Sequence, residues 1–114
     1  MRNSETRAVI TGGSQGLGFA IARRLAEEGA KSIVISGRDA DKGNAAAQKL
    51  KAMGTEALFV QAELSKAEDC RRLIATALDR FGSVNALVNS AAETSRGTLL
   101  DTSLETWQKH FDTN

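Results

Sequence analysis

The chain has 114 residues, 41% of them hydrophobic and 25% charged, which is enough apolar material for the modest core of one domain. Fifteen Lys and Arg against fourteen Asp and Glu leave a formal net charge of +1, and no run of basic residues marks a surface for nucleic acid or an anionic membrane. The lone cysteine, Cys70, rules out a disulfide framework and a paired-ligand metal site, and no apolar stretch reaches the roughly 18 residues of a membrane span or forms a leader. These features predict a cytoplasmic protein with no metal, nucleic-acid or membrane partner.

Thr6 to Ile10, ending in "AVI", reads as a short buried strand. The octet "TGGSQGLG", Thr11 to Gly18, comes next. Leu17 to Glu28 then reads as a helix with Ile21, Ala22, Leu25 and Ala26 on one stripe and Arg23, Arg24, Glu27 and Glu28 opposite. Gly29 suits its end, because a residue without Cβ takes the left-handed conformation cheaply. "SIVIS", Ser32 to Ser36, reads as a second strand, and Asp39 caps a second helix that runs to about Met53, where Gly54 stops it.

"EALFVQ", Glu56 to Gln61, supplies a third strand. "SKAE", Ser65 to Glu68, has the spacing of a capping box and opens a third helix whose stripe is Leu73, Ile74, Ala77, Leu78 and Phe81, ended by Gly82. "ALVN", Ala86 to Asn89, is the fourth strand. A loop rich in Thr, Ser and Gly follows, and Ser103 caps a last helix, "LETWQKHFDT".

Strands alternating with helices imply right-handed crossovers and a parallel sheet covered on both faces, so the strands read as continuous apolar runs. Without repeats or linkers, residues 1–114 read as the N-terminal, dinucleotide-binding part of a single α/β domain. The predicted architecture is a Rossmann-like doubly wound parallel sheet, incomplete, with the first four strands and their crossover helices.

Between first strand and first helix, a glycine-rich octet has the context that makes it informative. Gly12 lets the chain turn tightly out of the strand, Gly16 lets backbone approach a pyrophosphate, and Gly18 lets the helix pack on the sheet. The free N–H groups and positive dipole end of that helix favour an anion.

The spacing is Thr-Gly-x-x-x-Gly-x-Gly, and with "SGR", "AELS", "VNALVNSAA" and "WQKHFDTN" it resembles the short-chain dehydrogenase/reductase family over essentially the whole chain. The resemblance implies that Gly12, Gly16 and Gly18 form the pyrophosphate turn, that Ser14 and Leu17 touch the cofactor, and that Glu63 and Leu64 are the acidic-apolar pair beside the adenine. It further implies that Asn89 begins the motif lining the nicotinamide side. Two positions depart from the family pattern. Glu63 stands where Asp is usual, with a solvated loop glutamate as the alternative role, and Asn89-Ser90-Ala91-Ala92 replaces Asn-Asn-Ala-Gly, placing a Cβ on Ala92 where cofactor and backbone come close.

An NAD site normally offers a carboxylate at the end of the second strand, about 20 residues past the glycine turn. Gly37 holds that place and Arg38 follows, whose planar fork suits a 2′-phosphate. The expected cofactor is therefore NADP rather than NAD. The plainer alternative is an exposed Arg38 paired with Asp39 or Asp41.

In the family, hydride transfer to a carbonyl uses a tyrosine acid, a lysine four residues later, a serine and an asparagine. Motif order places Asn114 at the relay asparagine, and the chain contains no tyrosine at all. The resemblance thus implies an NADP(H)-dependent oxidoreductase acting on a small carbonyl or alcohol substrate, with this chain a truncated or partial form inactive alone. The alternative is a non-catalytic nucleotide-binding or interaction module that associates with a full-length relative. His110, beside Trp107 and Phe111, reads as a packing residue and Cys70 as a small buried thiol. In the family's strand order "ALVN" would be an open apolar edge, prone to association with a copy of the chain or another chain.

Overall fold

The computed structural model describes residues 3–91 together with Glu105 and Gln108. Four strands, β1 (Arg7–Thr11), β2 (Ser32–Gly37), β3 (Glu56–Gln61) and β4 (Ala86–Asn89), alternate with three helices, α1 (Gly16–Glu27), α2 (Ala40–Ala52) and α3 (Ala67–Phe81). All strands pair in parallel in the order β3-β2-β1-β4, the doubly wound topology that the alternation predicts. Glu105 and Gln108 are helical, as predicted for the last helix. The rest of that helix and the loop before it lie outside the described residues.

Successive residues of β1 and β2 serve opposite faces, which is why both strands read as unbroken apolar runs. On one face Ala8, Ile10, Ile33 and Ile35 pack against Ala22 and Ala26 of α1 and Ala46, Ala47 and Leu50 of α2. The alanines let these helices lie close to the sheet. On the other face Val9, Val34 and Val60 pack against Leu73 and Ala77 of α3.

The helix ends follow local chemistry. Asp39 caps α2 by accepting from the Lys42 amide at 3.1 Å, while Gly29, Gly54 and Gly82, with φ of 87°, 93° and 83°, reverse the chain after α1, α2 and α3. The start of α3 corrects the predicted capping box. The helix begins at Ala67 with Lys66 as N-cap and no side-chain cap bond, because the Ser65 hydroxyl instead donates to Glu63 Oε1 at 3.2 Å. The carboxylate that serves this turn is Asp69, which accepts from the Glu63 amide at 2.7 Å.

The predicted α3 stripe is also only partly buried. Leu73 and Ala77 are covered, whereas Ile74 and Leu78 are exposed, and Leu87 of β4 is 57% exposed on the same side of the sheet. The physical reason is placement: α3 sits over β1 and β2, and the described residues put nothing over the α3 side of β4. Two brackets fix β4 to β1. Asn85 accepts from the Arg7 amide at 2.8 Å and donates to Glu5 O at 2.7 Å at the bottom, and Thr11 Oγ1 accepts from the amides of Ser90 and Ala91 at 3.1 and 3.3 Å at the top.

Gly43, inside α2, shows the tightest helix-to-sheet contact: a Cβ there would lie 2.1 Å from the ring of Phe59 on β3. Gly43→Ala should therefore lower stability by ~1–2 kcal/mol, overpacking outweighing the gain in helix propensity. In a Phe59→Ala background the same change should stabilise by up to ~1 kcal/mol. Denaturant midpoints of the four variants check the pair; stabilisation in both backgrounds would contradict it.

Candidate functional site: a cleft at the carboxyl ends of the strands

Every strand delivers its carboxyl end to one edge of the sheet, and the crossover direction reverses between β1 and β4. Open parallel sheets bind ligands at that kind of edge. A cavity of about 380 Å³ lies there, lined by Gly12 and the stretch from Ser14 to Gly18, by Ser36, Gly37 and Arg38 at the end of β2, by Ala62, Glu63 and Leu64 after β3, and by Ser90 and Ala91 after β4. Its volume falls in the range of small-molecule and cofactor sites.

The glycine turn has the predicted shape for steric reasons that are now visible. Gly12 has φ +67°, and a Cβ on it would press on the Ala91 backbone at 2.8 Å. Gly18 has no room for a Cβ, which would sit 2.2 Å from the Gly12 carbonyl oxygen, so the first turn of α1 lies directly on the strand exit. Gly16 differs: φ is +59° and nothing lies within 4 Å of its Cβ position, so that side of the turn faces open space. Gly13, which sequence reasoning did not single out, is also constrained, because its Cβ would meet Ile35 Cγ2 at 2.6 Å.

The cavity therefore joins Gly12, Ser14, Gly16, Leu17, Gly18, Arg38, Glu63 and Leu64, eight residues predicted from separate parts of the sequence. Leu17 is 72% exposed, an apolar side chain held at the mouth instead of in the core. Asn89 is exposed at the end of β4, paired in register with Thr11, and is not among the lining residues. Ala92, His110 and Asn114 lie outside the described residues.

Three features were not legible beforehand. Ser36 Oγ, buried in the cavity wall, has no hydrogen-bond partner among the described residues. Lys42 of α2 donates to Gln15 Oε1 at 3.3 Å, tying the glycine turn to the neighbouring helix. The first turn of α3 holds the Glu63–Leu64 turn from both sides: Asp69 takes the Glu63 amide, and the Cys70 thiol donates to Leu64 O at 3.4 Å. Cys70, expected as a small buried thiol, is half-buried and engaged. Only the side-chain directions of a folded helix bring positions 69 and 70 back onto 63 and 64, so no linear motif announces them.

At the mouth, Arg38 Nη1 lies 3.9 Å from Glu63 Oε2, an acid other than Asp39 or Asp41, the partners of the plainer alternative. Asp39 is engaged in capping, and among the described residues Glu63 is an acid within 3.9 Å of Arg38. Asp69 is held below the usual Asp value of 3.8 chiefly by the Glu63 amide; desolvation opposes this, and the positive charges of Arg72 and Lys66 add smaller lowering contributions. The described residues contain no group of three or more His, Cys, Asp or Glu able to hold a metal, and no helix among them is long and apolar enough to cross a membrane.

A doubly wound sheet with a glycine turn opening onto its switch-point cleft defines a dinucleotide-type α/β protein. Residues 6–114 match the short chain dehydrogenase family, and the chain belongs to it. It is 36% identical over 107 residues to a 3-oxoacyl-acyl-carrier-protein reductase of Staphylococcus epidermidis, covering 94% of this chain and 44% of that protein. It is 41% identical over 108 residues to dehydrogenase/reductase SDR family member 4 of Oryctolagus cuniculus, covering 94% and 41%. Among solved structures, a short chain dehydrogenase from Burkholderia cenocepacia in complex with NADP superposes with a TM-score of 0.92 at 31% identity, over 98% of this chain and 46% of that one. L-Sorbose reductase from Gluconobacter frateurii, complexed with NADPH and L-sorbose, gives 0.90 at 33% identity, over 99% and 44%. The chain thus spans less than half the length of these relatives.

Because the folded-state pKa of Asp69 is depressed, its bond to the Glu63 amide contributes stability above the ordinary Asp range, and the contribution is lost as pH falls through the lowered value. An NMR titration should place the Asp69 carboxyl below 3.8, with Glu63 amide exchange accelerating as it protonates. Asp69→Asn should make that exchange faster at pH 7 and flatten its acid dependence. An unshifted carboxyl would contradict the assignment.

Proposed function

We propose that this chain forms the NADP(H)-gripping part of an oxidoreductase that moves hydride between the nicotinamide and a small carbonyl or alcohol substrate. One observation carries the reading. The cleft has open space beside Gly16 at the start of α1 and a cation but no carboxylate at the end of β2, where Gly37 and Arg38 stand. The NADP and NADPH complexes of the two similar solved structures support the same cofactor.

The residues fit the group. Backbone amides at the start of α1, with the positive end of its dipole, suit the pyrophosphate, and Gly12 and Gly18 hold that turn closed against the sheet. Ser14 and Leu17 line the same stretch, Leu64 offers an apolar wall for the adenine, and Glu63 borders it. The Gly37 Cβ position lies 3.2 Å from Ser14 Oγ, so a side-chain carboxylate there would crowd the turn as well as repel a 2′-phosphate. Ser36 Oγ is a spare buried hydroxyl in the cavity wall. NADP(H), when bound, would supply the hydride in its reduced form or accept it in its oxidised form; this chain's residues would bind and orient it.

Hydride transfer to a carbonyl also needs a proton donor of tuned pKa within hydrogen-bond reach of the oxygen. The 114 residues contain no tyrosine, so in this proposal the donor comes from outside them, and Asn114 stands at the relay position by motif order alone. The 114 residues then bind cofactor without turning substrate over.

Calorimetry tests the cofactor assignment. Arg38→Met should weaken NADPH at least tenfold, since a charge-assisted hydrogen bond contributes roughly 1.5–3 kcal/mol, and should leave NADH within about twofold. Equal losses for both cofactors, or none, would remove the case for NADP. For catalysis, the purified 114-residue polypeptide mixed with NADPH and simple ketones or aldehydes should show no carbonyl-dependent loss of absorbance at the reduced-nicotinamide band. Steady oxidation there would overturn the division of labour.

A further inference from the structure

We infer that Glu63 sets how strongly this protein prefers NADPH to NADH, by competing with the 2′-phosphate for Arg38; the inference rests on the proposed cofactor site. The geometry divides the two oxygens of Glu63. Its amide is fixed by Asp69 at 2.7 Å, and Oε1 accepts from the Ser65 hydroxyl at 3.2 Å. Oε2 is thereby left facing Arg38 Nη1 at 3.9 Å across the mouth of the cleft. The longer side chain matters. An aspartate on the same anchored backbone would be one methylene shorter and would fall short of the guanidinium.

An anion arriving at Arg38 therefore meets a guanidinium already facing a carboxylate. The phosphate gains Arg38 only by displacing Glu63 or sharing with it, and the carboxylate repels the phosphate at short range. A cofactor bearing a 2′-hydroxyl needs no cation and pays no such penalty. Arg38 and Glu63 are 58% and 31% exposed, so solvent screens the pair, and its effect is that of a surface ion pair. Glu63 acts as a brake of modest strength on a preference that Arg38 creates.

The test is calorimetry on the protein at its full native length, with NADPH and NADH as titrants and the ratio Kd(NADH)/Kd(NADPH) as the readout. The ratio cancels any contact that Glu63 makes with the adenine, which both cofactors share. Glu63→Gln should raise the ratio about fivefold, equivalent to ~1 kcal/mol. Glu63→Asp, which keeps the charge and shortens the reach, should raise it about twofold and guards against misfolding of the first variant. In an Arg38→Met background, Glu63→Gln should leave the ratio within about twofold. A ratio that stays constant or falls in Glu63→Gln and Glu63→Asp would sink the inference, as would a full fivefold rise without Arg38. If the unsubstituted protein binds neither cofactor, or Arg38→Met costs NADPH nothing, the proposed function itself fails and takes this inference with it. If the unsubstituted protein binds cofactor, Arg38→Met weakens NADPH and only the Glu63 ratio stays flat, the competition alone is wrong.

Discussion

The structure depends on one close approach. The first turn of α1 rests on the exit of β1 so tightly that the Gly18 Cβ position falls 2.2 Å from the Gly12 carbonyl oxygen. No side chain can be accommodated without backbone movement, and the consequence is directional: α1 must start at the sheet edge with its amides facing the cleft. Gly13 against Ile35 and Gly12 against Ala91 extend the constraint to β2 and to the segment after β4. A single turn thereby fixes where three strand ends stand relative to one another.

Around that turn, the site is assembled by helices acting on loops. Asp69 and Cys70 in the first turn of α3 hold the Glu63–Leu64 segment, Lys42 in α2 reaches Gln15, and Thr11 gathers the amides that follow β4. These bonds are individually modest, of order 1 kcal/mol net. Their value lies in orientation: each takes a loop whose backbone would otherwise be free and sets it against a rigid element, so that the cleft is formed before any ligand arrives.

Charge in the cleft is arranged in opposition. Gly37 leaves the end of β2 without an acid, and Arg38 supplies a cation there, yet Glu63 approaches the same cation from β3. A site of this kind is tuned by the difference between two exposed groups. Arg38 and Glu63 are 25 positions apart in the chain and meet only because β2 and β3 are neighbours with Gly37 in register with Gln61.

The amino-acid sequence by itself determined the order and type of the elements, the parallel sheet, the Asp39 cap, the glycine reversals and the glycine turn that lines the cleft. Those are local properties: period, capping chemistry and freedom of φ are written within a few residues of where they act. The tertiary structure alone decided which side chains meet. It turned the apparent capping box at Ser65 into a bond with Glu63 and gave the anchoring role to Asp69. It left Ile74, Leu78 and Leu87 exposed despite their apolar pattern, and it brought Arg38 and Glu63 together across the mouth of the cleft. The physical reason is common to all of these: burial and ion pairing depend on where a helix lands on a sheet and on which strands are neighbours, and neither is encoded by spacing along the chain.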